Sequence, residues 1–440
     1  MHSLAGQIKK NPVYYAQVQS LTHECRGVAR NKGKAVFVDG ALPGEEVLFY
    51  QNRNRKKYSE GTAAFILKSS PDRANPKCAH YGICGGCSFQ HMDGTAQIAA
   101  KEQIMMDNFR HIGKLEPIEI LPPVTGDQWG YRRKARLGVK YVRKKETVLV
   151  GFREKRSSFL AEINACEVLH PSVGQKITAL RRLIAKLKVY NRIPQIEVAM
   201  GDDSVALVIR HLDDLVAEDI ALIRAFAEEH EFQVYLQPGG PESVHLLCPN
   251  EAELSYKLPE FNLEMIFRAT DFIQVNQDIN RKMISAAIDL LDLNSNDQVL
   301  DLFCGVGNFT LPIATKVKKV TGVEGSESLV NQANSNKNHN GLENITFNCS
   351  DLHVQNHSVF ESTAFSKLLL DPPRSGAVDL VKNKHIQKAD RIVYVSCNPA
   401  TLARDADELV HNQGYTLTMA GVMDMFPHTS HVESIALFEK

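Results

Sequence analysis

Apolar and polar positions change rhythm three times along this chain. Residues 13–68 carry short apolar runs broken by glycine turns. AQVQSLTHECRGVAR, AVFVDGALPGEEVLFYQ and EGTAAFILKSSP read as evenly spaced strands, with GALPG at 40–44 turning one into the next. That rhythm predicts a small β-barrel of the oligonucleotide-binding type. Residues 96–112 then place Ile98, Ile104, Met105, Phe109 and Ile112 on one helical face, stopped at Gly113. Alternation returns after Trp129, with Leu137, Val139 and Tyr141 on one side and Arg132, Lys134 and Arg136 on the other. Residues 171–190 read as helix, and IEVAM and VALVIRH as further strands, so 129–268 predicts an α+β region. From Phe272 helix and strand alternate. A helix is expected at 279–291 and strands at 298–303, 320–324, 345–348, 367–371, 391–396 and 434–438, a doubly wound parallel sheet.

Charge changes this picture locally. The 440 residues balance 51 Lys and Arg against 51 Asp and Glu. Residues 1–70 nevertheless hold 11 basic against 5 acidic side chains, and residues 128–160 hold 11 against 2. Two basic blocks on a neutral chain point to a polyanion partner. No run of eighteen apolar residues occurs and the first residues lack a signal-type apolar core, so a soluble, cytoplasmic protein is expected, with no membrane contact. Nothing marks an obligate protein partner, and a monomer is expected. Nine cysteines in so long a chain do not read as a disulfide framework.

Three of those cysteines stand together in NPKCAHYGICGGCSFQH, where Cys78, Cys84 and Cys87 have the spacing C-x5-C-x2-C. A tetrahedral site needs a fourth thiol, and Cys166 in NACEVLHP is the best candidate. Zinc favours paired C-x2-C knuckles, and only one is present. A cubane iron–sulfur cluster tolerates one distant ligand.

The chemistry concentrates in the last third. DLFCGVGNFT joins the first strand of the alternating region to a helix through Gly305 and Gly307, but Thr310 stands where a dinucleotide fingerprint has its third glycine. Glu324, ending the second strand, is placed to hold two ribose hydroxyls, and Asp351 to face an adenine amino group. Asp301, the glycine turn, Glu324 and Asp351 in that order suit S-adenosylmethionine better than NAD. Downstream, DPPRSG and IVYVSCNPAT set Asp371 and Cys397 at the carboxyl ends of two strands, so both are expected over one cleft. DPPR is similar to the D/N-P-P-aromatic motif of exocyclic-amine methyltransferases. Arg374 takes the place of the stacking ring, which argues against an amine acceptor. A cysteine points instead to a pyrimidine carbon, since uracil C5 becomes nucleophilic once a thiolate adds to C6. Asp371 and Arg374 would then face O4 and the ring NH. Removing the C5 proton needs a base. Glu433 in MDMFPHTSHVE is assigned that part, with His428 and His431 as rivals. Such a base must be unstacked to react, and Phe272 and Gln274 in DFIQVN are placed to stack on it and hydrogen-bond.

DPPRSG with its spacer and IVYVSCNPAT, together with MDMFPHTSHVE, resembles the signatures of the RNA uracil-C5 methyltransferases over about residues 271–440. The resemblance implies Cys397 as nucleophile, Glu433 as base, and S-adenosyl-L-methionine contacts at Gln274, Phe303, Asn308, Glu324, Asp351 and Asp371. It implies that the barrel is a TRAM domain and that Cys78, Cys84, Cys87 and Cys166 hold a [4Fe-4S] cluster. It also implies a division into a TRAM barrel at 1–70, a cluster-bearing part at 71–95 and 129–268, and a Rossmann-like methyltransferase part at 96–128 and 269–440. A branch with both barrel and cluster acts on 23S ribosomal RNA, for which Phe272, Arg132, Arg136 and Arg374 are candidate contacts. A cluster-bearing redox protein or an RNA chaperone would leave Cys397 and Glu433 without a task.

Overall fold

The structure, a computed structural model, describes residues 12–352, 360–361 and 363–440. The chain forms two compact units, Met1–Ile104 with Pro427–Ser430, and Met105–Phe426 with His431–Lys440.

In the first unit the strands Val13–Leu21, Gly27–Asn31, Lys34–Asp39, Glu46–Asn54 and Tyr58–Lys68 close a barrel. Neighbours are antiparallel except Lys34–Asp39 and Tyr58–Lys68, which run parallel. Alternation puts Ala16, Val18, Ala29, Val36, Val38, Val47 and Phe49 inside. Gly61 is required where the chain crosses Phe49, because a Cβ there would lie 2.4 Å from the Phe49 ring. Glu45 is fully buried and accepts from the Leu42 and Ser70 amides at 2.9 and 3.2 Å and from Arg73 Nη2 at 2.8 Å. That pair ties the barrel to the loop carrying Cys78, Cys84 and Cys87.

The second unit holds a six-stranded sheet in the order His245–Cys248, Phe232–Gln237, Val205–Arg210, Gln195–Met200, Lys134–Val142, Thr147–Gly151, and a hairpin of Leu254–Leu258 and Leu263–Phe267. The expected helix at 171–190 is two pieces, Pro171–Gly174 and Ile177–Lys186. Its larger sheet has eight strands in the order Ile345–Cys349, Lys319–Glu324, Gln298–Leu302, Lys367–Leu370, Arg391–Ser396, Glu433–Glu439, Thr416–Met423, Glu119–Ile120.

Two expectations need correction. The sheet is mixed, not all parallel: Glu433–Glu439 runs antiparallel to both neighbours. Thr416–Met423 and the edge strand Glu119–Ile120 are additional strands. Thr416–Met423 escapes a period-2 reading because its last four residues are all buried, so alternation is lost there. The helix expected at 96–112 runs regularly only over Gly94–Asn108. Phe109–Gly113 widens into a π turn that ends at Lys114 with φ +53°. Among the described residues no helix is long and apolar enough to cross a membrane.

Candidate active site

Five parallel strands of the large sheet end at Leu302, Glu324, Cys349, Leu370 and Ser396, and the antiparallel one begins at Glu433. Reversal of that last strand therefore brings Glu433 to the edge where the others finish. The loops there enclose a cavity of about 640 Å³. Ten of the residues singled out from the sequence line it: Phe272, Gln274, Phe303, Asn308, Glu324, Asp351, Asp371, Arg374, Cys397 and Glu433.

One half of the cavity is built by the glycine turn. Phe303 sits at φ +66°, a left-handed conformation uncommon for a bulky residue, and donates its amide to Val323 O at 2.9 Å. Gly305, at φ +56°, opens onto empty space, so a ligand can approach the backbone closely. Its amide donates to Glu324 Oε2 at 3.1 Å while Ser326 N donates to Oε1 at 3.0 Å. Both carboxylate oxygens are thus aimed and still have capacity for hydroxyl donors. Asn308 is held just as firmly. Its Oδ1 accepts from Tyr256 OH at 2.8 Å and Asn280 Nδ2 at 3.0 Å, and its Nδ2 donates to Asn280 Oδ1 at 2.8 Å.

The other half is built by two turns tied together. Asn398 caps the helix Pro399–His411 by accepting from Ala400 N at 3.1 Å, and donates its Nδ2 to Arg374 O at 3.0 Å. Beneath them the buried Asp405 carboxylate accepts from Ala377 N at 2.6 Å, Tyr394 OH at 2.7 Å and Arg404 Nε at 2.9 Å. Gly376, at φ +76°, is required because a Cβ there would lie 2.6 Å from Asp405 Oδ2. Asp371, Arg374 and Cys397 therefore stand on a braced platform.

Electrostatics of this half are unusual. Burial, then the charges of Glu433 and Asp371, push the Cys397 thiol up to about 11, with Arg374 pulling the other way. Burial pushes the Asp371 carboxyl, enclosed by the cavity wall, up to about 7. Burial and the Asp371 charge raise Glu433 well above the usual carboxylate range, again opposed by Arg374. A thiol, two carboxyls with raised proton affinity and a guanidinium thus face one cavity, the kinds of group a nucleophile–base site requires. Phe272, 71% exposed, presents a ring at the cavity mouth.

The sequence profile of the family described as tRNA (Uracil-5-)-methyltransferase matches residues 201–440. The chain belongs to that family. It is 54% identical over 429 residues to the 23S rRNA (uracil(1939)-C(5))-methyltransferase RlmD of Nitrosococcus oceani, covering 97% of this chain and 96% of the relative. It is 51% identical to the protein of that name from Alcanivorax borkumensis, over 97% of this chain and 96% of that one. The fold matches the crystal structure of Pyrococcus abyssi tRNA (uracil-54, C5)-methyltransferase in complex with S-adenosyl-L-homocysteine. The TM-score is 0.74 at 22% identity, covering 97% of this chain and all of the other.

Other residues singled out from the sequence lie off the cavity of this uracil-5-methyltransferase family member. Arg132 forms isolated bridges with Leu169 and Asn276, and its Nε donates to Lys134 O at 3.1 Å. Arg136 is exposed but paired with Glu197 at 2.8 Å. His428 is buried in the first unit, its amide donating to Gln97 Oε1 at 2.9 Å and its carbonyl accepting from Ser88 and Phe89. That is a structural post. His431 Nδ1 lies 2.8 Å from Arg374 Nη2, so it braces the guanidinium.

Cys78, Cys84 and Cys87 are half-buried on a loop of the first unit, and Cys166 is buried in the second. Among the described residues no group of three or more His, Cys, Asp or Glu is gathered as around a metal ion. The loop nonetheless carries three soft sulfur donors. Gly86 N donates to Cys84 Sγ at 3.4 Å, and burial, opposed by that amide and reinforced by Cys78, raises the Cys84 thiol. Three sulfur donors with an amide directed at one of them are compatible with an iron–sulfur group.

Sequence reasoning missed Tyr256, Asn280 and Phe426. Tyr256 belongs to the separate hairpin, 52 residues from Asn308, and no local pattern marks it.

Proposed function

We propose that this chain methylates C5 of a uracil in 23S ribosomal RNA, at the position named for its relatives, uracil 1939, with S-adenosyl-L-methionine as methyl source. One observation carries the reading: Cys397, Glu433, Asp371 and Arg374 share a single cavity with the glycine turn, Asn308 and Glu324.

S-adenosyl-L-methionine supplies the methyl group, and Gln274, Phe303, Asn308, Glu324, Asp351 and Asp371 are the residues we assign to hold it. Cys397 Sγ adds to uracil C6, forming the S–C6 bond and moving the C5–C6 electron pair toward C5 and O4. Burial and the charges of Glu433 and Asp371 hold the thiol protonated, so as sulfur bonds to C6 its proton passes to solvent. Arg374 is placed to counter charge developing on the ring. C5 then bonds the methyl group as its bond to the sulfonium breaks and S-adenosylhomocysteine leaves; Glu433 takes the C5 proton, the C5–C6 double bond reforms and the S–C6 pair returns to Cys397 Sγ. Glu433 does this in its ionised form: burial and the Asp371 charge raise its proton affinity, and the Arg374 charge opposes that rise. Phe272 offers a stacking face to the extruded base or its neighbour.

The barrel, as a TRAM domain, and the basic strand at Arg132 and Arg136 are assigned to RNA contact. Cys78, Cys84 and Cys87 are assigned to a [4Fe-4S] cluster, with Cys166 as the fourth thiol on the strength of the family resemblance. Protein purified without oxygen should carry iron and acid-labile sulfide in equal amounts, and Cys84→Ala should not.

The deciding experiment is transfer from labelled S-adenosylmethionine to unmodified 23S and transfer RNA, with the labelled nucleotide mapped. Label at a single uracil of 23S RNA is expected. Label in transfer RNA overturns the substrate, and no label in either overturns the enzyme.

A further inference from the structure

Among the described residues Phe159 is the most exposed large hydrophobic side chain after Ile118, at 73%, and the cavity does not use it. It stands on a stiffened finger. Ala161 N donates to Phe152 O and Glu154 N to Phe159 O, both at 2.9 Å, and Arg153 bridges Leu160. At the tip Arg156 turns at φ +60°, and Phe159 N donates to Ser157 Oγ at 3.0 Å. The finger carries Arg153, Lys155 and Arg156 against one acid, Glu154, with Arg153 and Arg156 exposed.

Strand register aims this finger. Thr147–Gly151 pairs antiparallel with Lys134–Val142, from Thr147 opposite Val142 to Gly151 opposite Gly138. The chain therefore leaves Gly151 heading toward the Lys134 end of the sheet. At that end Arg133 N donates to Val275 O at 2.8 Å, beside Gln274 in the cavity wall. The returning segment packs closely on the sheet, since a Cβ on Gly151 would lie 2.6 Å from Ile163 Cδ1.

We propose that residues 152–161 form an RNA-binding finger, Phe159 stacking on an unpaired base that flanks the target uracil while Arg153 and Arg156 hold the adjoining phosphates. The inference rests on the RNA-methylation reading above. An exposed flat ring on a hydrogen-bonded backbone among cations is what single-stranded RNA recognition uses: every base has a π face, and the phosphates follow it. A protein partner would more often be met by a wider apolar surface than by one ring in a basic setting.

The test uses the full chain and a fluorescein-labelled transcript of 23S RNA spanning the target uracil. Phe159→Ala should weaken binding roughly 5- to 150-fold, the range expected for loss of one base–aromatic stack. KM for the transcript should rise with it and kcat should hold. Phe159→Trp should match the wild type, and Phe159→Leu should behave as Phe159→Ala. Arg153→Ala with Arg156→Ala should lower the salt slope of binding by about 1.4, roughly 0.7 per lost contact to a single strand. Wild-type affinity in Phe159→Ala or Phe159→Leu overturns the finger, and with methylation intact it leaves the enzyme reading standing. If the wild type binds the transcript without methylating it, the enzyme reading falls, and the affinity of Phe159→Ala still decides the finger.

Discussion

Replacing Asp301 by asparagine should remove a pH-dependent weakness from the large sheet. Asp301 is fully buried, its Oδ2 accepts the Thr310 hydroxyl, and its Oδ1 has no hydrogen-bond partner among the described residues. Burial, opposed by the Thr310 bond and reinforced by Asp371 and Glu324, pushes the carboxyl up from 3.8 to about 8. Between those values the native state keeps a proton that the unfolded chain has released, so stability falls as pH rises through the window. One pH unit is worth about 1.4 kcal/mol. Going from roughly pH 5.5 to 7.5 should therefore take about 3 kcal/mol from the wild type through this group alone. Asparagine does not titrate and can still accept from Thr310, so the variant should keep that stability, although its buried NH₂ lowers the overall level by about 1–3 kcal/mol. Glu433 titrates in both proteins, while Asp371 and Glu324 are coupled to Asp301, so the difference reads Asp301 together with those two neighbours. Urea unfolding across the pH series reads this out through Trp129, the one tryptophan of the chain, which lies in the second unit. Wild type and variant losing stability in parallel would refute the argument, because Asp301 would then be ionised in the native state.

Other consequences are equally direct. Cys397→Ala should abolish methylation while RNA affinity stays within about twofold, the loss of one covalent step without a binding contact. Glu433→Gln should leave a protein–RNA adduct that survives denaturing electrophoresis, because the C5 proton cannot be removed; no such band would cost Glu433 its role as base. Tyr256→Phe deletes one of two donors to Asn308 Oδ1. At about 1 kcal/mol, KM for S-adenosylmethionine should rise roughly fivefold with kcat steady. An unchanged KM would end the positioning role of Tyr256. In the barrel, burial alone would raise Glu45, but the Arg73 pair and the Leu42 and Ser70 amides outweigh it and hold the carboxyl below its usual 4.5. The stability it supplies is therefore present above the unfolded-state value and is lost as pH falls through the lowered native value. Glu45→Ala strands Arg73 and should cost the barrel about 3–5 kcal/mol, seen as faster hydrogen exchange at Ala29 and Val38.

Much of the site was legible because it is local. A glycine turn after an apolar strand, a carboxylate at the end of the next strand and a cysteine followed by Asn398-Pro399 each report a backbone conformation that the residues themselves impose. Gly305 and Gly307 both adopt positive φ, and Asn398 caps the helix that Pro399 begins. Strand ends follow from hydrophobic runs, and in a doubly wound sheet strand ends share one edge. The barrel was legible for a similar reason, since alternation fixes which side chains point inward.

What tertiary structure alone decided is how those pieces are held. Pairing of Glu433–Glu439 between two strands of opposite direction brings Glu433 to the reactive edge, and a hydrophobic run carries no sign of its own direction. Tyr256 and Asn280 orient Asn308 from 52 and 28 residues away, and Asn398 holds Arg374 across 24. Such contacts form only after loops have closed and sheets have packed, so no window of neighbouring residues encodes them. The chain's order of residues names the candidate reacting groups; packing sets their distances and, through burial, their proton affinities.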